Sequence, residues 1–169
     1  MKFVFGCFLL ALLVLSADIL SKYFVQLYLP IVHGYYPEYP YGGIGVFSNF
    51  FGIEFSICHT INKGAAWGIL GNFQHALLAV RIILIVAVIG YLFFFNKDRP
   101  KTIPLTLIIS GAIGNVLDYF VYGHVVDMFH FVLWGYDFPV FNLADTAIFI
   151  GVLWMMVLSF SLKTSEVPS

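Results

Sequence analysis

Two aspartates in apolar surroundings offer the most chemistry in this chain. Asp145 lies in 138–151, Phe-Pro-Val-Phe-Asn-Leu-Ala-Asp-Thr-Ala-Ile-Phe-Ile-Gly, a run apolar enough to enter a membrane. Asn142 precedes it by three residues, hence on the same face if the run is helical. Asp127 lies 18 residues upstream of Asp145, in Gly-His-Val-Val-Asp. A carboxylate at membrane depth is costly and is by default a functional hypothesis. Two carboxylates in one poorly solvated site cannot easily both ionise, so they tend to hold one proton between them. The charged member can activate a water, and the protonated member can donate to a carbonyl or a leaving nitrogen. That is the chemistry of aspartic peptide hydrolysis. The blander reading makes each aspartate a separate cap or ion-pair partner, but cations are few at that end of the chain's spans.

Other polar groups read as support. Asp18 and Lys22 are four apart, acid before base, the favourable arrangement for an ion pair along one helix. Asn115 and Asp118 are three apart and suit hydrogen bonds between helices. Gly111 and Gly114 beside them permit close backbone approach. Asn62-Lys63-Gly64-Ala65-Ala66-Trp67-Gly68 suits either a backbone-exposing turn that receives an extended peptide or an ordinary loop re-entering the membrane.

Other chemistries fit less well. His124, Asp127 and His130 are spaced by three, unlike the His-Glu-x-x-His of zinc peptidases. On a helix, 124 and 130 stand about 600° apart and do not face one point. That spacing fits no standard zinc site. Ser56 and Ser110 lack the strand-turn-helix context of a serine nucleophile. Cys7 and Cys58 are too few for a disulfide framework; Cys7 reads as a small buried hydrophobe.

The elements that must position the aspartates follow from composition. Of 169 residues, 61% are hydrophobic and 10% charged, against about 25% charged in soluble domains. The chain is predicted to be one all-α integral membrane domain. The formal net charge of −1 gives no hint of a nucleic-acid partner. Four segments reach the roughly 20 residues that a helix needs to cross: about 3–29, 76–95, 102–120 and 141–161. The first resembles a signal peptide at its start, but its apolar run continues past Asp18 without a small-x-small cleavage site, so it is expected to be retained. Lys97, Arg99 and Lys101 cluster between spans two and three, Lys2 precedes span one and Lys163 follows span four. The positive-inside rule then places both termini in the cytoplasm.

Two connections, 30–75 and 121–140, fall on the outer face. Residues 31–45 are rich in Gly, Pro and Tyr and read as turns. Residues 52–61 alternate, with Ile53, Phe55 and Ile57 on one face and Glu54, Ser56 and Cys58 on the other, which predicts a strand. A strand is not stable alone, so a small sheet between spans one and two is expected, with 47–51 as a partner or an interfacial contact. Tyr35, Tyr36, Tyr39, Tyr41, Phe50 and Phe51 suit the headgroup region. The 121–140 link reads as a loop closed by a turn at 135–139, with Pro139 ahead of the last helix.

In order along the chain, these motifs resemble the lipoprotein signal peptidases, also called signal peptidase II. The resemblance rests on Asp18-Ile-Leu-Ser-Lys22, on Asn62-Lys63-Gly64-Ala65-Ala66-Trp67, on Gly111-Ala-Ile-Gly-Asn115-Val-Leu-Asp118 with Gly123-His-Val-Val-Asp127, and on Phe138-Pro-Val-Phe-Asn142-Leu-Ala-Asp145. It implies an aspartic endopeptidase of the bacterial inner membrane with its active site near the periplasmic face. The implied substrate is a prolipoprotein already carrying diacylglycerol on its lipobox cysteine, cut just before that cysteine. By motif position the catalytic pair is Asp127 and Asp145. Asn62, Gly64, Asn115, Asn142 and Ala144 match groove-lining positions, and Asp18, Lys22 and Asp118 match supporting ones. The sheet becomes a periplasmic cradle. The resemblance further implies no metal or other cofactor, a monomer, and inhibition by globomycin-type cyclic peptides.

Three departures stand out. Tyr119 follows Asp118 where the family usually has Arg, and a tyrosine cannot supply a guanidinium's charge or fork of donors. Ser110 replaces the first Gly of a Gly-Gly run, and 31–51 is longer than usual. Two readings from other classes remain beside the peptidase. One is a small ion or proton-coupled transporter, which the lack of internal repeats disfavours. The other is a non-catalytic membrane subunit on the same fold.

Overall fold

The computed structural model describes residues 2–31, 43–64 and 73–164, with side chains to Phe160. Most of the turn-rich 31–45 stretch, with Tyr35, Tyr36, Tyr39 and Tyr41, lies outside the described residues. So do Ala65, Ala66, Trp67 and Gly68 of the Asn62 motif.

Four helices are long and apolar enough to cross a membrane. They are α1 (Lys2–Tyr28), α2 (Gln74–Gly90, continued by one π-helical stretch Tyr91–Phe95), α3 (Arg99–Tyr122) and α4 (Leu143–Thr164). Each begins and ends within a few residues of its sequence-predicted span. Most of their large apolar side chains are exposed, as expected where lipid is the solvent. The polar and small residues turn inward instead. On α1 the fully enclosed residues are Asp18, Lys22 and Val25, one face of the helix.

α3 is the helix on which the others pack. Ser110, Gly111, Gly114, Asn115 and Asp118 are all buried along it. A Cβ at Gly111 would collide with the Ala144 carbonyl of α4. One at Gly114 would stand 2.6 Å from the Asp18 carboxylate of α1. Small residues here let three helices meet at backbone distance. α3 stops at Gly123, whose N–H bonds back to the Tyr119 carbonyl at 3.0 Å.

The extramembrane part is a four-stranded antiparallel sheet in the order β1-β2-β3-β4. The strands are β1 (Ile44–Phe50), β2 (Ile53–Asn62), β3 (Val125–Leu133) and β4 (Tyr136–Asp137). Both hairpins turn through two residues of positive φ, Phe51-Gly52 and Trp134-Gly135, the geometry that matches strand twist. The predicted strand at 52–61 and its partner near 47–51 are both present, with Phe47 opposite Phe55 and Phe50 opposite Ile53.

Two expectations need correction. A fold with four strands is not all-α. The sheet also does not come only from between spans one and two, because 121–140 contributes β3 and β4 rather than a loop. β3 hid because Val125, Val126, Asp127 and Met128 are all buried in succession. A strand covered on both faces shows no alternation. β2 is inverted relative to a sheet lying in water. Ser56 and Cys58 are fully buried toward the protein, while Ile53, Phe55 and Ile57 are only half-buried. The sheet's outward face is a line of rings, with Phe55 stacked on Phe131 at 4.4 Å.

Candidate active site

α4 starts at Leu143 because Asn142 caps it. The Asn142 carbonyl accepts from Thr146 N–H at 3.2 Å. Its side-chain Oδ1 accepts from Asp145 N–H at 2.8 Å, and Asp145 Oδ2 accepts in return from Asn142 N–H at 3.4 Å. This is a reciprocal capping box built from Asn and Asp. It fixes Asp145 in the first turn of the helix. The amide of the same asparagine then reaches the second aspartate, with Nδ2 donating to Asp127 Oδ1 at 2.7 Å. One residue therefore touches both carboxylates.

Asp127 comes from β3 and is 2% exposed. Its other oxygen, Oδ2, accepts from Asn62 Nδ2 at 2.8 Å. Asn62 is placed by the sheet, at the end of β2 across from Val125. A register shift between Ile57 and Thr60 puts Thr60 opposite Asp127. Asp145 Oδ1 accepts from Asn115 Nδ2 at 2.8 Å. Burial, and then the negative charge of Asp145, push the Asp127 carboxyl up to about 7, although Asn62 and Asn142 pull the other way. Asp127 thus changes protonation near neutral pH.

Behind the pair stands one buried cation. Lys22 Nζ lies 2.7 Å from Asp18 Oδ2 and 2.7 Å from Asp118 Oδ2, and donates to Asn115 Oδ1 at 3.1 Å. Each of the two carboxylates holds a backbone N–H. Asp18 Oδ1 accepts from Ala144 at 2.9 Å, and Asp118 Oδ2 accepts from Val126 at 3.2 Å. Ala144 immediately precedes Asp145, and Val126 immediately precedes Asp127. Lys22 is thereby a hub from which two symmetrical arms position the backbone just before each aspartate. Both arms lie in a dry interior, where removing one partner would leave a charge uncompensated.

In front of Asp145 lies a cavity of about 590 Å³. Asn62, Gly64 and Asn115 line it, as do Phe138, Phe141 and Phe149. Of the residues matched to the groove, Asn142 and Ala144 are instead fully buried behind it. Ala144 sits at the close approach of α4 to Gly111 and Gly114. Gly64 is held by an Asn62 side-chain turn, its N–H donating to Asn62 Oδ1 at 2.9 Å.

The remaining candidates fall elsewhere. His124 faces Gln26 of α1, at 3.4 Å. His130 faces Asp137 and, at 3.4 Å, Ser56. The three residues His124, Asp127 and His130 therefore take different partners. Ser56, His130 and Asp137 do line up as a serine triad would, but Ser56 has no exposed surface. Cys58 is also sealed, bonded to Thr60 Oγ1 and the Met128 carbonyl, and burial pushes its thiol up to about 11. Such a thiol is inert. Tyr119 bonds His75 Nδ1 at 2.8 Å through its hydroxyl, on the outer flank of α3. Asp118 is already paired by Lys22, so no guanidinium at 119 is needed for its charge.

Arg81 belongs to none of the sequence motifs above. It stands inside an otherwise apolar span and donates to the Gly64 carbonyl at 2.9 Å, on the cavity wall. The signal was available, because a lone charge within a span is a candidate in its own right.

Residues 10–161 match the family described as Signal peptidase (SPase) II. The lipoprotein signal peptidase of Chlamydia pneumoniae is 40% identical over 115 residues, covering 67% of this chain and 68% of that one. That of Moorella thermoacetica is 34% identical over 154 residues, covering 89% and 91%. A solved bacterial membrane enzyme superposes with a TM-score of 0.77 at 26% identity, covering 97% of this chain and 93% of the other. With the match running from the first helix through the last, the chain belongs to the signal peptidase II family.

Proposed function

We propose that the chain is an aspartic endopeptidase whose catalytic pair is Asp127 and Asp145. Membership of the family gives the reaction class, hydrolytic removal of the signal peptide from prolipoproteins. The observation that supports the aspartic assignment is the shared asparagine. Asn142 ties two carboxylates together, and one of them holds its proton up to about pH 7. Asp145, open to the cavity, takes a proton from water. The water oxygen attacks the scissile carbonyl. Asp127 donates its proton to the carbonyl oxygen; as the intermediate collapses, Asp145 gives its proton to the leaving nitrogen and Asp127 recovers one from the intermediate's hydroxyl. Asn62, Gly64 and Asn115 present the polar atoms that hold the substrate backbone, and Asn142 aligns the pair.

The substrate is a prolipoprotein with a diacylglyceryl-modified cysteine, cut just before that cysteine. The basic link Lys97, Arg99, Lys101 lies at the opposite end of α3 from Asp118, which supports a cytoplasmic side for the link and both termini and a periplasmic side for the site. The enzyme acts as a monomer in the bacterial inner membrane and is blocked by globomycin-type cyclic peptides. The test is cleavage of a diacylglyceryl-modified prolipoprotein in detergent by the unaltered chain, Asp127→Asn and Asp145→Asn. The unaltered chain cleaves and both variants are silent. Cleavage by either variant refutes the pair.

A further inference from the structure

The cavity in front of Asp145 has a neighbour. A second cavity of about 220 Å³ lies between α2, α3 and α4, walled by Leu84, Ile85, Val88, Ile108, Ala112 and Ile148. The two cavities share two wall residues, Arg81 and Asn115. The depth of that shared wall can be read from the helices. The start of α2 and the end of α3 adjoin, since Gln74 Nε2 donates to the Gly123 carbonyl at 2.6 Å. Arg81 lies seven residues into α2 from that end, and Asn115 lies seven residues from the end of α3. Both therefore sit about 10 Å below the helix ends, at about 1.5 Å per residue. The apolar cavity runs deeper still, one to two turns beyond Arg81.

A guanidinium carries five N–H donors in a rigid fork. Among the described residues, that of Arg81 makes one hydrogen bond, to the Gly64 carbonyl, and no ion pair. A cation at this depth is expensive. It sits where the cavity in front of Asp145, which carries the polar groups, gives way to a smaller and almost wholly apolar one. α2 buries no residue fully, so the groove stands open to lipid.

The proposed substrate has the same order of chemistry. From the scissile bond it continues through the cysteine thioether to two glyceryl ester carbonyls and then to acyl chains. We propose that Arg81 reads the lipid of the substrate, its guanidinium donating to the glyceryl ester carbonyls while one acyl chain lies in the apolar cavity below. Arg81 is then the residue that makes the diacylglyceryl group a requirement. This rests on the peptidase reading above and names the part of the site that selects the lipid.

The test compares two prolipoprotein substrates that differ only in the lipid linkage. One carries the natural ester-linked diacylglyceryl group, and the other an ether-linked dialkylglyceryl group without carbonyls. The unaltered chain is expected to cleave the ester substrate with a KM about tenfold lower than the ether substrate, as loss of a charge-assisted hydrogen bond predicts. In Arg81→Gln the KM for the ester rises about tenfold, kcat stays within about twofold, and the two substrates become equivalent. Arg81→Lys keeps part of the preference. A preference for ester that survives in Arg81→Gln overturns the inference. So does an unaltered chain that cleaves both substrates equally, a result that needs no variant to fold. An unaltered chain that cleaves neither substrate instead overturns the peptidase reading itself.

Discussion

Replacing Asn142 with alanine removes the residue that links the two aspartates. Its Nδ2 donates to Asp127 Oδ1 at 2.7 Å, to Asn115 Oδ1 at 3.1 Å and to the Val126 carbonyl at 3.2 Å. Its Oδ1 also caps α4 through Asp145 N–H. The donor to Asp127 favours that carboxyl's ionised form, so its loss raises the Asp127 pKa further above about 7. A hydrogen bond to a charged group is worth about 1.5–3 kcal/mol, which at about 1.4 kcal/mol per pH unit is an upward shift of about 1–2 units. If Asp127 must be protonated to donate, the alkaline limb of kcat/KM belongs to it. In the unaltered chain that limb falls near neutral pH. In Asn142→Ala it moves about 1–2 units to higher pH while the plateau drops. Loss of the cap costs a further ~1 kcal/mol of stability. Asn62→Ala removes the other donor to Asp127 and moves the limb in the same direction. The assay is the pH profile of kcat/KM on a diacylglyceryl-modified prolipoprotein, with thermal unfolding in detergent measured in parallel. An alkaline limb that stays in place, or moves to lower pH, in Asn142→Ala refutes the reasoning.

Lys22→Met leaves Asp18 and Asp118 buried without their cation and is expected to cost about 3–5 kcal/mol; thermal unfolding checks it, and adding Asp118→Asn recovers part of the loss. Gly111→Ala places a Cβ against the Ala144 carbonyl and 2.9 Å from Ile148 Cγ1, which costs about 1–3 kcal/mol and lowers both melting temperature and cleavage, because Ala144 adjoins Asp145. Tyr119→Phe removes only a hydroxyl contact on the flank of α3 and is expected to stay within about 0.5 kcal/mol in stability, with cleavage close to that of the unaltered chain.

The spans and the two aspartates were legible because membrane depth writes a strong signal. Long apolar runs are helices, and a carboxylate next to one is conspicuous. Lys22 was legible only in part. Its i,i+4 neighbour Asp18 can be read from spacing, but Asp118 reaches it from another helix, and nothing local to either residue encodes that meeting. The two N–H groups held by Asp18 and Asp118 are backbone atoms, which leave no trace in residue identity. β3 was read as loop because its burial on both faces erased the period-two pattern. Arg81 belongs to no motif, and its position inside a span is the one sign of it that the sequence carries.

The Lys22 hub has a consequence for the order of events in biogenesis. Its arms run from the first helix through Asp118 of the third to Val126 of β3, and through Asp18 to the start of the fourth. A nascent chain in which α1, α3 and β3 have already met still lacks Asp145, its asparagine cap and the anchor at Ala144. The site closes only when the last helix docks, so a partly inserted chain brings only Asp127 of the two aspartates to it.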